Sequence, residues 1–155
     1  MGRFITFRLA DRDFALDATR IRGLLPVHEM LPINPPRNSI CGVVSLSGRQ
    51  IPVADLRGKL TLPPGPLGRR PGIVVVELRG NRLAGFVADH LSDLITVRDR
   101  EVQAGRVRVN GRLRISSMRT ESLRIFPQPD AALRVCEKFH FAPGITAGAI
   151  RRVNS

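Results

Sequence analysis

Alternating apolar and polar residues divide the first part of the chain into short strands. Residues 4–10 alternate with a period of two, which is typical of a strand with one buried face. The polar turn 11–13 and the apolar run 14–16 complete a predicted hairpin. Residues 17–25 fit either a helical turn or a bent strand. Four prolines within 26–36 then predict a rigid, irregular crossing in which a helix cannot persist.

The densest apolar stretch of the chain predicts a second hairpin. Its strands are residues 41–46 and 50–55, and the turn between them is Ser-Gly-Arg at 47–49. Because proline cannot donate a hydrogen bond to a sheet, Pro52 indicates that its strand lies at an edge there. The loop 63–72 is rich in proline and glycine and is the predicted boundary between the two lobes of the domain.

A third hairpin is predicted from the apolar runs 73–78 and 83–88, with a turn at 79–82. Asp89 follows this hairpin directly. Aspartate is a good N-cap, and the apolar residues that follow recur at helical spacing, so we expect a short helix over 89–95.

Residues 106–115 predict a fourth hairpin around Asn-Gly. A two-residue loop would mix aliphatic residues and arginines on both faces. A three-residue loop, 109–111 with Gly111 left-handed, instead places Val107 opposite Leu113 and collects the arginines on one face. Between a functional basic surface and an ordinary solvated strand face, we favour the solvated face for these arginines. The predicted basic patch consists of Arg106, Arg108, Arg112 and Arg114.

The composition is that of a globular domain with an excess of positive charge. The chain has 155 residues, 43% hydrophobic and 25% charged, with a formal net charge of +12. These values exclude a disordered chain, and no apolar run is long enough to span a bilayer, so membrane insertion is not expected. The charge is spread along the sequence, and Trp and Tyr are absent, which disfavours a single-strand nucleic-acid binder.

Candidate reactive residues form no recognisable constellation. The two cysteines, Cys41 and Cys136, make no disulfide framework, and Cys41 lies in an apolar run as a small buried hydrophobe would. Cys136 and His140 have the spacing of two metal ligands on a helix, but two ligands do not make a structural zinc site. Asp55 and Asp89 each end an apolar strand, and we interpret both as turn or cap residues. The histidines are far apart in sequence: His28, His90 and His140. We therefore expect no enzyme activity, no metal, no cofactor and no small-molecule substrate.

One resemblance organises these strands. Residues 42–56 read GVVSLSGRQIPVADL and resemble the pattern G-V-x-N-L-R-G-x-x-x-P-V-x-D-L of the chemotaxis coupling protein (CheW) family. Further matching segments stand in the family's order: 7–17, 21–25, 73–77 and 85–94. The resemblance covers about residues 3–125 and implies an all-β fold of two five-stranded SH3-like barrel lobes with short helical connections.

The resemblance also implies a function. The family joins the cytoplasmic tip of a chemoreceptor to the regulatory domain of a chemotaxis-type histidine kinase, as a non-catalytic adaptor in the cytoplasm at receptor arrays. Partners dock on lobe edges and in the groove between lobes. The positions carried over as partner-binding are Ile21, Gly23, Leu24, Leu46, Ser47, Gly48, Ile51, Pro52, Asp55, Leu56, Val87 and Asp89. The alternative function is a basic β-barrel module that binds nucleic acid through the arginine-rich hairpin.

Two departures from the family pattern occur together. Gly23 replaces a common glutamate, and Ser47 replaces a common arginine. We interpret this as the joint loss of one ion pair, since losing both partners leaves no buried charge unpaired. The second lobe is expected to be trimmed or rearranged. We divide the chain into a two-lobed domain over 1–125 and an extension, weakly structured or a short helix, over 126–155.

Overall fold

Two β-sheets form almost all of the computed structural model, which describes residues 2–97, 102–103, 106–108, 122–126 and 129–137. Each sheet has six strands within these residues, where the resemblance implied five. The prediction of an all-β fold with two lobes is confirmed.

The first sheet joins the N-terminal hairpin to strands from later in the chain. Its strand order is β10-β11-β12-β2-β1-β9, and all pairs are antiparallel except β12 with β2. The strands are β1 (Gly2–Leu9), β2 (Arg12–Asp17), β9 (His90–Val97), β10 (Val102–Gln103), β11 (Arg106–Arg108) and β12 (Ser122–Ile125).

The second sheet contains the middle of the chain in the order β3-β7-β8-β6-β5-β4. Its strands are β3 (Ile21–Pro26), β4 (Leu31–Arg37), β5 (Ile40–Leu46), β6 (Arg49–Ala54), β7 (Gly72–Leu78) and β8 (Arg82–Ala88). Short 3₁₀ turns at Ala18–Arg20 and Val27–Glu29 flank β3. The sheet curls so strongly that β3 and β5 come close together. A Cβ placed on Gly23 of β3 would lie 3.1 Å from Cδ2 of Leu46 on β5.

The three hairpins predicted before residue 89 are confirmed. Residues 17–25 were predicted to form either a helical turn or a bent strand, and they contain both, a 3₁₀ turn followed by a strand. The proline stretch forms the edge strand β4, whose pairing is interrupted between Pro32 and Arg37.

The predicted helix over 89–95 is wrong, because residues 90–95 belong to β9 and Asp89 precedes that strand. A β-bulge explains the error. Ile5 pairs with Leu94 and Phe7 pairs with Leu91, so β9 has one more residue than β1 between these pairs. The extra residue places Leu91 and Leu94 on one face despite their spacing of three, which imitates helical periodicity.

Two further expectations concern strand pairing. β6 is an interior strand of the sheet, but it pairs with β8 only at Val53 and Ala54; Pro52 pairs with β5 alone, so the predicted edge holds at Pro52 itself. Val107 is paired on both sides, by Val102 and by Leu123. Its predicted pairing with Leu113 is therefore wrong, and the loop 109–111 lies outside the described residues.

The core between the two sheets is built around four phenylalanines. The rings of Phe7, Phe14, Phe86 and Phe126 have centroids 5.0 to 6.0 Å apart. A separate apolar cluster fills the interior of the second sheet, and it includes Val44, Val53 and Val75.

The C-terminal part of the chain contributes to the shared core. The Phe126 amide donates to the Ala15 carbonyl over 2.7 Å. The short helices α1 (Pro129–Ala132) and α2 (Arg134–Glu137) follow, and Leu133 between them is fully buried. The domain boundary that we place at residue 125 stays a prediction, but the residues immediately beyond it pack with the two sheets.

Candidate partner-binding surface

Two leucines, one on an edge strand of each sheet, are exposed. Leu24 exposes 46% of its surface and Leu94 exposes 45%. Leu24 is paired with the buried Val74, and Leu94 is paired with Ile5. Directly paired residues present their side chains on the same face, so Leu24 extends the face of Val74, which belongs to the shared core, and Leu94 extends the face of the buried Ile5. We call them the junction leucines.

The strands that carry these leucines approach each other. A Cβ placed on Gly72, at the start of β7, would lie 2.2 Å from Cδ1 of Leu91 on β9. Gly72 itself pairs with Pro26 at the end of β3. The absence of a side chain at this glycine thus allows β9 to pack directly against the second sheet.

Four of the predicted binding positions lie together at the other end of β3. Gly23 contacts Leu46, and Leu46 pairs with Arg49 across a two-residue turn. Ser47 and Gly48 form this turn with φ angles of 52° and 76°, as the right-handed twist of a two-residue hairpin requires. Ser47, Gly48 and Arg49 are exposed.

Another group of predicted binding positions is inside the protein. Ile51 and Val87 pack in the interior of the second sheet, and Leu56 is fully buried in the shared core. Pro52 is buried as well. Because these side chains are inaccessible, they stabilise the fold, and we withdraw them as partner contacts. Ile21 is half-buried against the shared core.

Asp55 and Asp89 are joined by an arginine that the sequence did not single out. Arg57 donates from Nη2 to Asp55 Oδ2 over 2.9 Å and from Nη1 to Asp89 Oδ1 over 3.3 Å. It also donates to the Gly65 carbonyl over 2.7 Å, which ties the loop between β6 and β7 to the same point. Asp89 in turn accepts from the Ala10 amide over 2.7 Å. This network connects the two sheets. Asp55 also accepts from the Arg57 amide over 3.1 Å, as the predicted turn residue would, whereas Asp89 binds the distant Ala10 rather than capping a helix.

The electrostatics of this network follow from its geometry. Burial opposes ionisation of Asp55, but hydrogen bonds from Arg57 outweigh it and lower the pKa of the carboxyl group. The hydrogen bond to Asp55 raises the pKa of Arg57. The network lines a half-open cleft of about 530 Å³ together with Arg8, Arg69 and His90.

The described residues provide little that is chemically reactive. Burial, and to a lesser extent the charge of Asp55, raises the pKa of the Cys41 thiol to about 11, which disfavours the nucleophilic thiolate. Cys136 is buried near the Pro52 carbonyl. No group of three or more metal-ligating side chains occurs in the described ranges. None of the helices in that part of the chain is long and apolar enough to cross a membrane.

The structure describes only two of the four arginines in the predicted basic patch. Arg106 and Arg108 lie on β11, which is an interior strand of the first sheet. Arg112 and Arg114 lie outside the described residues. The patch stays a prediction, although the pairing from which we derived it is wrong.

A second arginine cluster, which sequence reasoning missed, surrounds the turn of β5 and β6. Arg49 donates to the Asn81 carbonyl over 3.0 Å, so this turn lies beside the turn of β7 and β8, which carries Arg79 and Arg82. The two hairpin turns are far apart in sequence, and only the parallel pairing of β6 with β8 brings them together.

Comparisons with known proteins agree with this architecture. Residues 3–124 match the model of the CheW-like domain. The chain is 32% identical over 102 residues to a probable chemotaxis protein CheW of Rhizobium etli, covering 64% of this chain and 63% of that protein. It is 26% identical over 102 residues to the chemotaxis protein CheW of Bacillus subtilis, covering 66% and 65%. These matches span slightly less than two thirds of the relatives' own lengths.

A solved structure shares the fold. The scaffolding protein TtCheW from Thermoanaerobacter tengcongensis superposes with a TM-score of 0.63 at 19% identity, covering 81% of this chain and 88% of that one. The matches give no support to the alternative of nucleic-acid binding. With a family model that covers most of its length and a matching two-sheet fold, the chain belongs to the CheW-like domain family.

Proposed function

We propose that this protein is a non-catalytic adaptor that joins the cytoplasmic tip of a chemoreceptor to the regulatory domain of a histidine kinase. The observation that carries the proposal is the pair of exposed junction leucines, one on each sheet, in a chain of the CheW-like family. Exposed aliphatic side chains beside a junction of rigid lobes suit docking of an amphipathic helix. The adaptor acts in the cytoplasm, at membrane-associated receptor arrays.

The receptor tip occupies the surface of the junction leucines. A receptor helix would cover Leu24 on β3 and Leu94 on β9, and both strands are edges of their sheets in the described part of the chain. Complete burial of an exposed leucine contributes about 1.5–3 kcal/mol. Because each leucine is already half-buried, we expect about half of this value from each.

Binding measurements with purified partners test this assignment. Leu24→Asp and Leu94→Asp should each weaken binding of the receptor signalling domain by roughly tenfold or more, as measured by isothermal titration calorimetry. Leu67→Asp is the matched control, because Leu67 is a comparably exposed leucine, at 37%, in the loop between β6 and β7. Equal losses in all three variants would refute the assignment, and so would unchanged binding in the two junction variants.

A further inference from the structure

We infer that Arg49, Arg79 and Arg82 form a docking surface for an acidic, leucine-bearing segment of a partner protein. We call this surface the arginine rim. The inference rests on the proposed function only for the identity of the partner, which would be one of the two proteins that the adaptor joins. The surface lies at the end of the second sheet where the hairpin turns project.

The geometry of the two turns creates the rim. Arg49 closes the β5–β6 hairpin opposite Leu46, and Arg82 closes the β7–β8 hairpin opposite Leu78. The Arg49 guanidinium bridges to the second turn at the Asn81 carbonyl. All three rim arginines are exposed.

The rim has an excess of positive charge that the fold neutralises only in part. Glu77 is paired with Arg22, and Asp130 is paired with Arg20 over 2.8 Å. Asp130 also accepts from the Arg79 amide; the hydrogen bond from Arg20 and this one lower the pKa of Asp130, and the charge of Arg79 adds to the effect, so Arg79 is partly compensated. Asp17 caps the 3₁₀ turn by accepting from the Thr19 amide. Across the described ranges, no carboxylate forms a salt bridge with the three rim arginines.

Apolar side chains lie directly beside these charges. Leu46 and Leu83 are half-buried against the interior of the second sheet, and each is adjacent to a rim arginine in sequence or pairing. The exposed parts of these two leucine side chains offer apolar contact beside the rim arginines. Charged groups around an apolar centre favour a protein partner with carboxylates placed around leucines.

Nucleic acid fits this surface less well. The rim itself carries no aromatic side chain, and the phenylalanines with described burial are in the core. Stacking on aromatic rings supplies much of the affinity of single-strand binding. A protein segment is therefore the better occupant, and nucleic acid becomes an outcome of the test.

Fluorescence anisotropy with the full-length protein tests the proposal. The probe is a labelled 20-residue amphipathic peptide with leucines at helical spacing and glutamates elsewhere. Its counterpart has lysine in place of each glutamate, and a random-sequence DNA duplex is the third ligand. The wild-type protein should prefer the glutamate peptide, and its affinity should fall with added salt.

Charge reversal then locates the binding site. Arg49→Glu/Arg82→Glu should weaken glutamate-peptide binding by roughly tenfold or more at low salt, since two attractive contacts become repulsive. Arg12→Glu/Arg37→Glu is the matched control, because it reverses two exposed arginines elsewhere and changes the net charge equally. The control should lose less than about threefold. Urea midpoints of both variants verify folding, and Arg49→Gln/Arg82→Gln replaces the reversal if it unfolds.

The possible results separate this inference from the proposed function. Equal losses in the rim and control variants, or no preference for the glutamate peptide, would overturn the inference. Tighter binding of the DNA duplex, lost on rim reversal, would overturn it in favour of nucleic acid. The proposed function fails in a different assay, if the wild-type protein binds neither the receptor domain nor the kinase domain. Unchanged peptide affinity in a rim variant would refute the rim alone.

Discussion

Removal of the Arg57 guanidinium is the perturbation that best tests how the two lobes are held together. Arg57 exposes only 14% of its side chain, and it bonds Asp55, Asp89 and the Gly65 carbonyl. Arg57→Ala removes these bonds and leaves the Asp89 carboxylate, which exposes 7% of its side chain, with the Ala10 amide as a partner. The variant therefore leaves a buried carboxylate that has lost its ion pair and keeps only part of its hydrogen bonding.

The size of the loss follows from the burial of each partner. Breaking a buried ion pair by removing one partner costs about 3–5 kcal/mol. The side chain of Asp55 is 37% exposed, so water replaces part of its interaction. We therefore expect Arg57→Ala to lower the free energy of unfolding by about 2–4 kcal/mol.

Urea denaturation followed by circular dichroism measures this loss. The midpoint should fall while the slope with urea stays constant, because the surface exposed on unfolding hardly changes. Arg57→Lys keeps the charge but cannot reproduce the forked bonds, so its loss should be intermediate. Arg12→Ala, at an exposed arginine, should cost less than about 0.5 kcal/mol. A loss below 0.5 kcal/mol for Arg57→Ala would refute the idea that this network connects the lobes.

The same network predicts a dependence of stability on pH. The folded-state pKa of Asp55 is lowered, mainly by hydrogen bonds from Arg57 against the effect of burial. Its contribution to stability is therefore present above the unfolded pKa of about 3.9 and is lost as pH falls through the lower folded pKa. In Arg57→Ala, burial raises the pKa of Asp55 without this compensation, so the loss that Asp55 causes at acid pH should disappear and its contribution should reverse, with stability gained as pH falls. Urea midpoints between pH 3 and pH 7 would show an unchanged profile if the reasoning were wrong.

Four further substitutions test the packing and the missing ion pair. Phe126→Ala should cost about 3–5 kcal/mol, because its ring packs with three other phenylalanines, and urea denaturation checks this loss. Gly72→Ala should cost about 1–3 kcal/mol, since the added methyl group displaces Leu91, and a melting temperature equal to wild type would contradict the close approach. Gly23→Glu and Ser47→Arg should show favourable coupling of about 0.5–1 kcal/mol in a double-mutant cycle, with Ser47→Arg alone less favourable than the pair. Additive effects would show that glutamate and arginine at these positions do not form an ion pair in this protein.

The sequence predicts the local structure well where one residue type decides it. The period-two alternation over 4–10 and the turns at 47–49 and 79–82 lead directly to the observed hairpins. The prediction fails at β9, where a single bulge gives a strand the spacing of a helix. It fails again at Val107, which pairs with Val102 on one side and with Leu123 on the other. The sequence around Val107 indicates neither of these partners. Register and non-local pairing depend on the whole sheet, so a window of ten residues cannot supply them.

The same limit explains why the candidate site was only partly predicted. Arg57 ends up between two aspartates that are 34 positions apart, and no local pattern distinguishes it from the other arginines. The arginine rim depends equally on the parallel pairing of β6 with β8. Leu24, by contrast, was identified through the family resemblance, and the structure leaves it exposed.

The family pattern over 42–56 records packing more than binding. Gly42 is required because a Cβ there would lie 2.8 Å from the Leu31 carbonyl oxygen, and Val43, Val44 and Val53 are buried. These positions make the fold recognisable, but they are inaccessible to a partner. Within this motif, the exposed positions are those of the turn 47–49, where this chain departs from the usual arginine, and we propose that these positions discriminate between partners. On this proposal, a chain can keep the fold of its family while changing its partner, because core packing and partner recognition use different positions of one motif.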